Sequence, residues 1–229
     1  MPAEVLHSAI VDEIAQGIVD GRTAAGEVLL LDTIGEQFDI SRTVAREVMR
    51  SLESAGLVVA RRRVGIVVQE PGAWAVLDPR VIGWRLNGPR REAQLASLTQ
   101  LRTAIEPTAA GAAARGASAA QCERLLELAH DLERHGASGD TEAFLEADIA
   151  YHALILEASG NEMFVAMQEV LAVTLSGRTH GGLMPQFPRT EAVEAHVSVA
   201  RAVRERDSAG AYRAMADMMS DLRGDLFGV

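Results

Sequence analysis

The chain has 229 residues, with 22 positive side chains that are all arginine, 32 acidic ones and a formal charge of −10. That balance excludes a general surface affinity for nucleic acid, so any basic contact must come from a local patch. A single cysteine, Cys122, excludes an intrachain disulfide and a cysteine-based zinc finger. No apolar run approaches the ~20 residues that span a bilayer and no signal peptide opens the chain, so a cytoplasmic protein with no membrane partner is expected.

Alanine is abundant and aromatics make up only 4% of the chain, a bias toward helix. Val5, Leu6, Ala9, Ile10, Ile14, Ile18 and Val19 recur at helical spacing, giving a first helix that ends near Gly21. Val28-Leu29-Leu30 is β-compatible, and Asp32 is placed to cap a short second helix through Phe38. After the turn at Asp39-Ile40, Ser41 is placed to cap a third helix over 42–55 with Val44, Val48, Leu52 and Ala55 inward. Arg42, Arg46 and Arg50 then fall on one side of that helix. Leu57-Val58-Val59 and Gly65-Ile66-Val67-Val68 flank Ala60-Arg61-Arg62-Arg63-Val64, the pattern of a hairpin with a basic tip.

Between Arg42 and Arg63 six arginines face only Glu47 and Glu53, a local net of +4 on an acidic chain. An amphipathic helix with three arginines is, alone, more often a solvated surface helix than a reader of DNA. The order helix, helix, turn, helix, basic hairpin changes that weighting, because it is the order of a winged helix-turn-helix. Both basic clusters then stand where such a fold meets a duplex, the helix at base edges and the wing over the backbone.

Residues 71–91 read as a linker, broken at Pro71-Gly72, Asp78-Pro79 and Gly88-Pro89 but carrying the apolar anchors Trp74, Leu77, Val81, Ile82, Trp84 and Leu86. From 92 onward the pattern is helical, with spans over 92–115, 118–135, 140–158, 161–178, 189–206 and 208–226. Short loops between them predict an antiparallel bundle. The fold class expected is therefore mainly α: a winged helix-turn-helix over 1–70, the linker, and an all-α domain over 92–229.

Within that second domain Asp148 and His152 lie at i, i+4 on a largely apolar helix. A carboxylate and an imidazole so placed are either a hydrogen-bonded polar pair or ligands for zinc, nickel or manganese. Arg102, four residues before Glu106, is either an intrahelical ion pair or a fork for a carboxylate. Arg223 is a second candidate cation, or a dipole-complementing residue near a helix C-terminus.

Gly26-Glu27-x-Leu29, Ile40-Ser41-Arg42-Thr43-x-x-Arg46-Glu47, Leu52-x-x-x-Gly56-Leu57 and Gly65-Ile66-Val67-Val68 resemble the N-terminal domain of GntR-family bacterial transcription regulators. The resemblance implies operator contacts from Ser41, Arg42, Val44, Arg46 and Gly65. Thr43, Arg50, Arg62 and Arg63 join this DNA-binding set as neighbours on the same helix and wing. The chain departs from the family at Val44, where proline is usual at or near this position, and at Leu29-Leu30-Leu31-Asp32, where Leu-Pro-Ser-Glu is usual.

Arg102-x-x-x-Glu106, Phe144-x-x-x-Asp148-x-x-x-His152, Gly160-Asn161 and Glu194-x-His196 with Asp207 resemble the all-α ligand-binding domain of the FadR subfamily. There an aspartate and three histidines commonly hold a divalent metal, which matches Asp148, His152 and His196. The last histidine is Met218 here, a poor ligand for such an ion, so either three protein ligands hold the metal or the polar groups bind an effector directly. Arg102 matches the arginine that commonly binds the effector carboxylate.

The stretch Leu77 to Leu86, with Ala147-Asp148-x-x-Tyr151-His152, is similar to the galactonate-repressor branch, which implies a sugar-acid effector. The expectation is a homodimeric, effector-responsive repressor reading an inverted repeat in double-stranded operator DNA. The competing expectation is a metal-dependent enzyme using Asp148, His152 and His196, the ligand type of non-haem iron oxygenases.

Overall fold

The computed structural model describes residues 3–227, with side chains described from 5 to 222. The chain divides into two compact units between Gln94 and Leu95. The first contains α1 (Ala3–Val19), β1 (Val28–Leu29), α2 (Leu31–Phe38), α3 (Arg42–Ser54), β2 (Val58–Arg61), β3 (Gly65–Val68), a 3-10 turn at Pro71–Ala73 and α4 (Pro79–Leu86). The second contains most of α5 (Arg91–Gly116), then α6 (Ala119–Ser138), α7 (Thr141–Ala158), α8 (Glu162–Val165), α9 (Gln168–His180), α10 (Thr190–Arg204) and α11 (Ser208–Phe227). Among the described residues no helix is long and apolar enough to cross a membrane.

In the first unit Ala45, Val48, Met49 and Leu52 of α3 are buried against Ile10, Val11, Ala15 and Ile18 of α1 and Ile34 of α2. Val44, expected inward, is only half-buried, because the inward face is centred on Ala45. Ser41 caps α3, its hydroxyl accepting from the Val44 N–H at 3.3 Å. Asp32 does not cap α2: the helix begins two residues earlier than that cap would give, with Leu30 at the cap and no side-chain bond there. Asp32 instead faces Arg42 at 3.5 Å.

The wing is an antiparallel pair, Val58 opposite Val68 and Arg61 opposite Gly65. β1 adds to the other edge of β3, with Val28 opposite Val67 and Leu29 opposite Ile66, so the sheet order is β1-β3-β2. Glu53 ties α3 to this sheet, accepting from the Ala60 N–H at 2.9 Å.

Of the anchors expected in the 71–91 stretch, Val81 and Trp84 join this unit's core with Trp74 half-buried against it, Ile82 and Leu86 are buried, and Leu77 is 51% exposed. Asp78 caps α4 by accepting from the Arg80 N–H at 2.9 Å. Trp84 packs into the core, and its indole N–H donates to Asp12 on α1 at 2.9 Å. The Trp74 indole N–H donates to the Gln69 carbonyl at 3.3 Å. An indole buried with its donor satisfied fixes a chain segment well, which explains both tryptophans.

In the second unit α6, α7, α10 and α11 pack around Leu125, Leu132, Tyr151, Ile155, Leu156 and Val199. Ser118 opens α6 through a capping box with Gln121. The single helix expected over 161–178 is two, α8 and α9, separated at Ala166-Met167. No glycine or proline marks that break. The Gln168 amide, at the start of α9, donates to the Ala153 carbonyl of α7 at 2.9 Å, so a tertiary bond anchors the new helix start.

Candidate functional site

α5, α7 and α10 each bring polar side chains to one buried point. On α7, Asp148 and His152 are one turn apart, as the sequence spacing requires, and both are buried. From α10 comes His196, buried to 7% exposure. α5 contributes Arg102 and Glu106, at 4% and 0% exposure.

Asp148 Oδ1 lies 3.3 Å from His152 Nε2 and 3.3 Å from His196 Nε2. One potential ligand atom from each of these three residues lies within 4.8 Å of the others, so the grouping can hold a metal ion. The tautomers suit that purpose. The His196 Nδ1 lies 2.9 Å from the Ala192 carbonyl, an acceptor only, so Nδ1 is the donor there and Nε2, facing Asp148, is the nitrogen that a neutral ring offers to a metal. That Nε2 is buried without an aligned hydrogen bond, as a nitrogen shaped for a cation would be. Three protein ligands from Asp and His suit a borderline divalent ion with open positions. Met218, also on the cavity wall, supplies no oxygen or nitrogen to close the set.

Glu106 lies beneath this cluster. Its carboxylate accepts from Arg102 Nε at 2.5 Å and approaches His152 Nδ1 at 2.6 Å, although the ring stands outside hydrogen-bond alignment there. Arg102 has one part in an ion pair and another beside the cavity. The ion pair with Glu106 is made, while Nη1 has no hydrogen-bond partner and the residue lines the cavity.

Burial alone would raise the Glu106 carboxyl, but Arg102 and His152 bring it down to about 2. Burial also opposes the charge on Asp148, yet His152 and His196 hold it well below the usual carboxylate range. For His152 burial would depress the imidazole, and Glu106 and Asp148 together raise it.

A cavity of about 140 Å³ opens beside the cluster, walled by Arg102, Asp148, His152 and His196 together with Phe144 and Met218. Residues 183–189, between α9 and α10, supply Leu183, Met184, Pro185, Pro188 and Arg189 to its rim, and α9 supplies Arg178. Arg178 and Arg189 are cations that helical periodicity could not single out, since one lies in the last turn of a helix and the other precedes one. The Arg223 side chain lies outside the described residues. Asp207 serves the start of α11, accepting from the Gly210 N–H at 2.8 Å.

In the first unit Ser41, Arg42, Thr43, Arg46 and Arg50 are all exposed on α3, and Arg61, Arg62 and Arg63 are exposed on the wing. Arg50 pairs with Glu47 at 2.5 Å, within the same helix. Arg63 takes a left-handed φ of 65°, turning the hairpin, and Gly65 follows at φ 123°. The arrangement is an apolar-backed helix beside a basic turn, two surfaces that suit a groove and its flanking phosphates.

Residues 6–68 match the family described as bacterial regulatory proteins, gntR family, and residues 97–221 match the FCD domain. The chain is 27% identical over 216 residues to the galactonate operon transcriptional repressor of Escherichia coli (strain K12), covering 92% of each. It is 27% identical over 218 residues to the HTH-type transcriptional repressor NanR of Cronobacter sakazakii, covering 92% of this chain and 81% of that one. Among solved structures, E. coli McbR/YncC superposes with a TM-score of 0.56 at 19% identity, covering 97% of both chains, a likeness of fold.

Proposed function

Because this chain belongs to the GntR family of bacterial regulatory proteins with an FCD domain, and is a DNA-binding transcription regulator rather than an enzyme, we propose that it represses a sugar-acid catabolic operon. The carrying observation is the cavity that joins the Arg102 guanidinium to the Asp148, His152 and His196 cluster. An aldonate carries a carboxylate for a guanidinium fork and vicinal hydroxyls for a polar or metal-bearing wall. A galactonate repressor similar along nearly its whole length supports that ligand class.

Asp148, His152 and His196 would hold a divalent ion, zinc, nickel or manganese. When bound, such an ion supplies positive charge and open positions for effector oxygens. Arg178 and Arg189 extend the cationic wall, and Arg223 would be a further effector contact.

On the output side, Ser41, Arg42, Thr43, Val44, Arg46 and Arg50 of the α3 region enter the major groove, and Arg62, Arg63 and Gly65 set the wing on the backbone. Two copies acting in the cytoplasm read an inverted repeat, since a two-fold protein reads a two-fold site. Effector binding lowers operator affinity only as far as it prefers the released arrangement over the bound one.

The test is a thermal-shift and gel-shift screen of galactonate, other aldonates and simple carboxylates, each with and without zinc, nickel or manganese. A sugar acid that both raises the unfolding temperature and releases operator DNA is expected. If no acid moves either readout, the effector reading is wrong.

A further inference from the structure

Glu106 is the one carboxylate in the site that touches both the candidate effector cation and a candidate metal ligand. It is fully buried, with Oε1 accepting from Arg102 Nε at 2.5 Å and Oε2 lying 2.6 Å from His152 Nδ1 and 3.4 Å from Arg102 Nη2. We infer that Glu106 is a positioning residue: it keeps the proton of His152 on Nδ1, so that Nε2 can take the metal, and it holds the Arg102 guanidinium beside the same cavity. This rests on the metal reading above.

An imidazole can present only one lone pair, and the hydrogen bond at its other nitrogen decides which. For His196 that decision is made by a neutral main-chain carbonyl, Ala192 at 2.9 Å. For His152 the acceptor nearest Nδ1 is the Glu106 carboxylate, a 2.6 Å ion-pair contact that stands outside hydrogen-bond alignment, while Nε2 faces Asp148 Oδ1 at 3.3 Å and Arg102 Nη2 at 3.4 Å. A carboxylate behind a metal-binding imidazole also makes it a stronger donor to the ion. Two ligands of the same type are therefore set by acceptors of different charge.

The charges agree. With both imidazoles neutral, Arg102, Glu106 and Asp148 sum to a single negative charge, which favours a divalent cation. With the ion bound the cluster is singly positive and favours an anionic effector. Arg102 shows the same division, its Nε committed to Glu106 and its Nη1 buried without a partner at the cavity. Removal of the Glu106 charge loosens both arms, although Glu106 reaches neither the metal nor the effector.

The test is calorimetric titration of the whole chain with zinc, nickel and manganese in turn, for the wild type and Glu106→Gln, alongside unfolding of the metal-free proteins. Glutamine keeps the volume and one acceptor but loses the charge. Metal binding weakened by about 10–100-fold in the variant is expected, the usual effect of losing an outer-shell partner. A lower unfolding temperature with unchanged metal affinity makes Glu106 a packing residue only and overturns the inference. Absence of metal binding in the wild type overturns the metal reading, and this inference with it.

Should Glu106→Gln fail to fold, nitrogen NMR of the zinc-loaded wild type decides instead. His152 protonated at Nδ1 and metallated at Nε2 supports the assignment, and the reverse overturns it.

Discussion

The phenol of Tyr151 donates to the main-chain carbonyl of His196 at 2.7 Å, joining α7 to α10 at the level where Asp148 and His196 meet. Tyr151 is wholly buried and its ring packs edge-on against both imidazoles, 5.5 Å from His152 and 5.0 Å from His196. It lies between the two site residues of α7 in sequence and fixes the third from behind. Tyr151→Phe keeps the ring but removes this bond, and the carbonyl, inside α10, keeps its helical partner, so a loss of about 0.5–1.5 kcal/mol in unfolding free energy is expected. Metal affinity should fall with it. Denaturant unfolding and a metal titration of the same variant check both, and unchanged affinity would show that the bond holds the helices but not the site.

Two buried groups predict opposite pH edges for the metal-free chain. The Glu106 carboxyl is lowered from 4.5 to about 2, so its stabilisation is present above about 4.5 and lost as pH falls toward 2. The His152 imidazole is raised from 6.5, so its stabilisation is present below 6.5 and lost as pH rises through the raised value. Greatest stability of these two contributions together therefore lies between about 4.5 and 6.5. Metal occupancy reverses the upper edge, because a metallated His152 must be neutral and binding releases its proton. Unfolding curves from pH 3 to 9, with and without zinc, should show the metal-bound protein gaining stability where the metal-free protein loses it.

The parts of this molecule written in local periodicity could be read from the chain, and those made by tertiary contact could not. Ser41, the arginine stripe and the Asp148–His152 spacing are local facts, and the structure keeps each of them. The α8–α9 break carries no glycine or proline, and what anchors the new start is a side chain reaching α7. In the sequence Glu106 is only the i+4 neighbour of Arg102, since its contact with His152 crosses from α5 to α7 and has no sequence period. The rim at 183–189 was equally hidden, being a loop whose place depends on the helices around it. Asp32 shows the reverse failure, a good capping residue that lies inside the helix it was expected to start.

Arg46 is exposed on α3 beside the wing, and Arg46→Ala should weaken operator binding while leaving effector binding intact. If it bonds a guanine edge, the loss is about 1–3 kcal/mol and specificity relaxes at one position. If it contacts phosphate, binding weakens evenly across sequences and the salt slope falls by about 1. Gel shifts at several salt concentrations on cognate and altered operators separate these cases. Arg50 should matter less, because its guanidinium is held by Glu47 at 2.5 Å. Operator binding unchanged in both Arg46→Ala and Arg42→Ala would show that α3 is not the recognition helix.

The family resemblance makes Gly65 an operator contact, and the fold supplies a separate reason for glycine at that position. Its φ is 123°, and an added Cβ would lie 2.8 Å from Val28 Cγ1 on the neighbouring strand. Gly65 also pairs with Arg61 at the first step of the wing, so a shift there moves the basic turn. Gly65→Ala should therefore cost about 1–3 kcal/mol through backbone strain, in addition to any effect at DNA. The discriminating measurement is unfolding in the absence of DNA. A lowered midpoint with proportionately weaker operator binding assigns the effect to wing geometry. An unchanged midpoint with lost binding assigns it to the duplex, where a methyl group would block close approach of the backbone.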